Sequence, residues 1–231
     1  MTLQGSTTAD GPGLLTEQQA KQLTDRVLAM VTDVDDARVN VVSEWSGNTR
    51  FADSSISTSG GMTNTSVSIS VTIGRKRASA STNVLEDAAL KRTVELASTL
   101  AKLSPDDPEL MPELGPQTVR ATNAYVQRTA MLDPEIRSGA VNRAIESAST
   151  AGRSAGSIFT AGYLEANARA TAVATRRGLF AYHRSTDADL SVTARTPDGT
   201  GSGWATGGAR DWGQVDPATS WQEAQSNSDL S

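Results

Sequence analysis

The chain has 231 residues, 37% hydrophobic and 20% charged, enough to bury one sizeable core or two small ones. Its net charge of -5 and sequence pI near 5.0 argue against a nucleic-acid-binding surface, which needs clustered Lys and Arg to neutralise phosphates. Without cysteine it has no disulfide, no thiolate metal ligand and no Cys nucleophile.

Residues 1–14 read as a flexible tail with neither the basic start nor the apolar stretch of a secretory signal. No apolar run approaches the ~18 residues of a membrane span, so a cytoplasmic location is expected. A Thr16-to-Gln19 capping box opens a first helix with Ala20, Leu23, Val27, Met30 and Val31 on one face. Asp33, Asp35 and Asp36 lack the central Gly and terminal Glu of a calcium loop and read as a solvated turn. Strands are expected at 38–45, 49–57, 66–73 and 78–82, with turns at 46–48, at 60–61 and at Gly74. Val67, Ile69, Val71 and Ile73 alternate with Ser and Thr, so one face is core and the other polar. Arg75, Lys76 and Arg77 read as a solvated hairpin turn.

Asn83 with Glu86 is expected to cap a second helix whose apolar stripe is Leu85, Ala89, Thr93, Leu96, Leu100 and Leu103. Pro105, Pro108, Pro112 and Pro116 make residues 104–117 an acidic crossover that is neither helix nor central strand. A helix over 118–130 should follow, then another opened by Asp133-Pro134 and carrying Ile136, Ala140, Val141, Ala144, Ile145 and Ala148. Further strands are expected at 157–166, 168–175, 179–185 and 188–195, and Gly199, Gly201 and Gly203 suit a hairpin or bulge beside Trp204. A capping box from Ser220 to Glu223 announces a helix close to the last residue, the pattern of a truncated or split product.

The order predicts an α+β fold with two antiparallel strand sets, each with covering helices. The expected divisions are the tail 1–14, a first subdomain 15–103, the crossover 104–117, a second subdomain 118–212, and the start of a truncated region at 213–231.

Gly152-Arg153-Ser154-Ala155-Gly156 spells G-x-S-x-G, with Glu165 and His183 in hydrolase order. A nucleophile elbow needs a strand entering and a helix leaving, and here the predicted order is reversed, so a glycine-rich turn is expected. His183 is the only histidine, which excludes any site needing two imidazoles; it stands between Tyr182 and Arg184 on a strand. At Thr49-Arg50-Phe51-Ala52-Asp53-Ser54, strand alternation turns Phe51 to the core and Arg50 away from it. Arg50 there could hold a peptide carboxylate or a partner's acidic side chain by a bidentate contact. Arg50, Tyr182 and His183 are therefore the candidate substrate- or partner-binding residues, with no catalytic and no metal-ligating residue expected.

The T-R-F-A-D-S strand, Gly74 with Ala80-Ser81-Thr82-Asn83, the helix ending in Leu103 before the prolines, and the 178–205 block with Gly201-Ser202-Gly203-Trp204-Ala205 resemble, in order and spacing, the N-terminal domain of the TldD/PmbA family, also called TldE. Where relatives commonly have Asn-Ser before the position of Gly178, this chain has Arg176-Arg177. The resemblance implies an α/β domain followed, in full-length members, by a β-rich domain that is absent here. Catalytic members bind zinc through an H-E-x-x-x-H helix and a downstream Cys. PmbA-like members lack that box and pair with a catalytic TldD-like subunit to cleave unfolded peptides. Links to DNA gyrase control named some members. The box has no match here, so the resemblance implies a non-catalytic domain for heterodimer assembly and guiding of unfolded peptides. Zinc would be confined to the full-length parent or partner, with no nucleic-acid or membrane partner. The alternative is a stand-alone peptide-binding module whose polar strand edges add an extended peptide.

Overall fold

The computed structural model describes residues 13–155 and 158–229. The expected tail at 1–14 falls almost wholly outside them, as does Gly156 of the G-x-S-x-G spelling.

The capping box forms as read: Thr16 and Gln19 bond reciprocally and open α1, Glu17–Ala29, whose Ala20, Leu23 and Val27 are buried. The sheet follows as β1, Asp36–Ala52, β2, Ser55–Ile73, and β3, Lys76–Thr82; α2 is Asp87–Leu103. Beyond the proline-rich crossover come α3, Gln127–Ala130, and α4, Pro134–Ala155. Then come β4, Phe159–Thr175, β5, Phe180–Arg195, β6, Ser202–Ala209, a 3-10 turn at Trp212–Gln214, and α5, Pro217–Asp229.

The α+β class holds, and the two strand sets turn out to be one sheet. Two meanders join where β1 pairs antiparallel with β4, giving the six-stranded order β3-β2-β1-β4-β5-β6. Several expected strands are also halves of longer ones. β1 runs straight through 46–48, because Gly47 lies under the Arg137 guanidinium and Trp45; a Cβ there would stand 2.4 Å from Arg137 Nη1. The actual turn is Asp53-Ser54, both at positive φ (49° and 54°), as a two-residue hairpin requires. β2 passes through Gly60-Gly61, and the expected breaks after residues 166 and 185 are likewise bridged by β4 and β5.

The described helices pack on one face of the sheet. Val39 and Val41 of β1 meet α1 and α2 in one cluster, while Phe51 of the same face joins α4 and α5 in another. Ala166, Ala168, Ala170, Ala172 and Ala174 of β4 keep that face shallow, so helices approach closely. Packing of α2 over β2 and β3 corrects its expected stripe. The helix buries Ala89, Leu90, Thr93, Val94, Ala97 and Ala101, and leaves Leu96, Leu100 and Leu103 exposed. It starts from Glu86 with no side-chain cap bond, in place of the expected Asn83 cap.

The crossover is fixed by groups read as solvated. Arg75 donates to the Pro108 carbonyl, Lys76 Nζ to that of Lys102 (3.3 Å) and Arg77 to that of Met111 (3.1 Å), while Arg77 also pairs with Glu113. Asp36, 3% exposed, accepts from the Glu113 amide (3.2 Å) and from Arg177 Nε (2.5 Å), and Asp35 accepts from the Gly74 amide (2.6 Å). The expected helix over 118–130 shrinks to α3. The segment before it lies along β5, where Thr186 N donates to the Ala124 carbonyl and Val126 N to Thr186 Oγ1. An unpaired strand edge offers those backbone groups partners that a short isolated helix cannot match.

Asp133 caps α4 through the Ile136 amide (2.8 Å), as its position before Pro134 predicts. The last helix starts earlier than its capping box suggests. Asp216 caps it through Ala218 N and Thr219 Oγ1, and Ser220 is buried inside it. Gly199 takes the positive φ of a turn, whereas Gly203 sits within β6.

Candidate functional site

One sheet face carries no described helix. On β1 it presents Glu44, Ser46, Asn48 and Arg50. The register places Arg169, Asn167, Glu165 and Tyr163 of β4 opposite them, then Ser185, Asp187, Asp189 and Ser191 of β5. The crossover reaches only one end of this face, through Glu113 on Arg38 and the Leu114 carbonyl on Thr175 Oγ1 (2.7 Å). Phe159 and Trp204, 45% and 57% exposed, stand at the other end.

Between these ends lies a polar cavity of about 460 Å³, lined by Glu44, Ser46, Met62, Glu165, Asn167, Arg169, Ser185 and Asp187, among others. Arg169 pairs with Glu44 at 2.8 Å, and Asn167 Nδ2 donates to Asp187 Oδ2 at 2.9 Å, so the polar rows of β1, β4 and β5 are cross-linked. The acids are closely spaced. Asp189 lies over Gly208 of β6, and burial there, with Asp187 beside it, raises its pKa above the ordinary carboxylate value. Burial and Glu165 likewise raise the Tyr163 hydroxyl, with Arg50 opposing.

A raised carboxyl pKa means that the folded chain binds the proton more tightly than the unfolded chain, so stability contributed by Asp189 is lost as pH rises through the two pKa values. Asp189→Asn should therefore raise the thermal midpoint near pH 7 and leave it unchanged near pH ~3, where folded and unfolded carboxyls are both protonated. Thermal scans at the two pH values check this; an equal shift at both would show that the charge is not the cause.

The three sequence candidates do not converge. Arg50 is exposed on the open face, level with Tyr163, as alternation predicts, with Phe51 buried on the other side. His183, also exposed on that face, is level with Thr171, eight residues further along β4, about 26 Å at ~3.3 Å per residue. Its Nδ1 lies 3.2 Å from Thr122 Oγ1. Tyr182 points to the helix side, packs against the first core and donates to the Leu15 carbonyl at 2.7 Å; its burial raises its pKa. Residue alternation could have separated Tyr182 from His183. The Glu44, Glu165, Arg169, Asp187 and Asp189 group was missed, because its members come from three strands whose pairing no local pattern reveals.

No family model and no curated protein matches this chain. Solved structures do. TldE from Thermococcus kodakarensis superposes with a TM-score of 0.76 at 14% identity, over 90% of this chain and 46% of that one. This chain has the TldE fold. A protein described as a modulator of a DNA gyrase from Thermotoga maritima gives 0.77 at 18% identity, over 90% and 47%. Another so described from Bacteroides thetaiotaomicron gives 0.70 at 16%, over 90% and 48%. The chain thus spans about half the length of the structures it matches, and at these identities the likeness is one of fold.

Among the described residues, no group of three or more His, Cys, Asp and Glu is placed to hold a metal, and His183 lies beside Thr122. No helix among them is long and apolar enough to cross a membrane.

Proposed function

We propose that this TldE-fold chain acts as a non-catalytic domain of a TldD/TldE-type metallopeptidase complex, assembling with a catalytic TldD-like subunit in the cytoplasm and guiding unfolded peptides to it. The observation that carries this reading is the open sheet face. A polar, charged surface spanning β1, β4 and β5 is left uncovered while every described helix packs behind it. Such a face suits a partner or a peptide held by paired charges, and catalysis would rest with a zinc of the partner. The neighbours described as modulators of a DNA gyrase extend the proposal to gyrase regulation.

The test mixes the purified chain with a TldD-like zinc peptidase subunit and measures complex formation by native mass spectrometry and hydrolysis of an unfolded peptide. A complex with faster turnover than the peptidase alone is expected; no complex and no change in turnover would sink the reading. Arg50→Ala should lower pairing or turnover several-fold while changing stability by less than ~0.5 kcal/mol, since its side chain is exposed. Equal pairing and turnover would remove Arg50 from the surface.

A further inference from the structure

β2 is much longer than its outer neighbour. β3 covers it only over residues 67–73, so among the described residues 55–66 have a strand on one side alone. Their sequence, SISTSGGMTNTS, has none of the Lys, Pro or charged residues with which proteins blunt an open edge. β3, the covered end, begins with Lys76 and Arg77.

The direction of the free groups follows from the ladder. Arg176 N bonds the Ala37 carbonyl, so odd-numbered residues of β1 bond to β4 and even-numbered ones to β2. Asn48 opposite Gly60 then turns the even-numbered residues of β2 inward. Ser59, Gly61, Thr63 and Thr65 present their N–H and C=O groups outward.

Beside this edge is a cavity of about 380 Å³ lined by Trp45, Gly60, Gly61, Met62, Pro134 and Arg137, among others. Arg137 donates to the carbonyls of Leu132 and Gly60 and to Thr49 Oγ1, all neutral acceptors, and among the described residues it forms no ion pair. Asp133 acts on it only through space, and no carboxylate is in contact with its guanidinium.

We infer that the outer edge of β2 over residues 59–65 binds an extended, proline-free acidic peptide as a seventh strand, with an acidic side chain of the peptide entering the cavity beside Arg137. Main-chain bonds to Ser59, Gly61, Thr63 and Thr65 hold any sequence that can extend, and the cavity selects a negative side chain. This rests on the peptide-guiding reading and gives it a place on the molecule distinct from the open face.

The probe is a fluorescein-labelled peptide in which glutamate alternates with threonine, titrated against the full chain by anisotropy. Two further peptides carry N-methyl groups on alternate residues, one in each phase. Binding should survive methylation in the phase facing solvent and fail in the phase facing β2, a result no face-bound peptide gives. Thr63→Pro removes an outward N–H without touching the β1 ladder, and should weaken binding about tenfold, the worth of one or two hydrogen bonds. Its circular dichroism should match that of the parent. A lysine-for-glutamate peptide should bind more weakly. Equal binding of both methylated phases overturns the edge while leaving peptide guiding intact. Absence of binding by any peptide, with the TldD-like subunit present or not, overturns both.

Discussion

Gly162→Val should destabilise the chain by about 3 kcal/mol, the upper range for overpacking a filled site. Gly162 lies in β4 on the helix side, where a Cβ would stand 2.2 Å from the Ser191 carbonyl oxygen and 2.3 Å from Phe51 Cζ. The first neighbour is backbone of β5 and the second a ring only 1% exposed, so neither can yield without moving a strand or opening the core. Urea unfolding followed by circular dichroism should show a lower midpoint. Phe51→Ala is the contrasting change, expected to cost about 3–5 kcal/mol by leaving a cavity. Gly162→Ala should cost less in the Phe51→Ala background than in the parent, because one of its two clashes is gone. An additive double mutant would show that the ring is not what keeps residue 162 small.

Arg137→Ala should be as damaging, about 3–5 kcal/mol, from a large buried truncation and two carbonyls that lose a charged donor. Arg137 is 1% exposed, ties the Leu132 carbonyl before α4 to Gly60 of β2 (3.0 Å), and lies 5.9 Å from the Trp45 ring centre. The burial lowers its pKa from the ordinary arginine value, yet that value is so high that the group stays charged. Arg137→Lys should recover only part of the loss, since one ammonium cannot span the Gly60 and Leu132 carbonyls as the guanidinium fork does. Equilibrium unfolding of the two variants checks both statements. A Lys variant as stable as the parent would mean that charge alone, not the fork, holds α4 to the sheet.

Of the candidate site, the sequence disclosed the parts governed by local alternation. Phe51 inside and Arg50 outside follow from strand periodicity alone, and both stand where it puts them. Tyr182 and His183, both candidate binding residues, are adjacent in the chain. Adjacent strand residues face opposite ways, so one became a core contact to Leu15 and the other an exposed group. The cavity between Glu44 and Asp187 had no local signature, since its lining spans β1, β2, β4 and β5.

The fold divides in the same way. Capping chemistry at Thr16 and Asp133 and the Val67-to-Ile73 alternation act through neighbours a few residues apart, so the sequence by itself determined the starts of α1 and α4, the faces of the strands and the α+β class. The tertiary structure alone decided which turns were real. Ser46-Gly47-Asn48 has turn chemistry, but a straight β1 lets Gly47 receive Arg137 and lets both neighbouring strands complete their ladders. Likewise α2 turned Ala89, Leu90, Val94, Ala97 and Ala101 inward and Leu96, Leu100 and Leu103 out, because packing on Val67, Ile69 and Val71 of β2 fixes which side of the helix is covered. Long-range partners outweighed local propensity wherever burying a surface or pairing an edge was worth more than a turn or a stripe could supply.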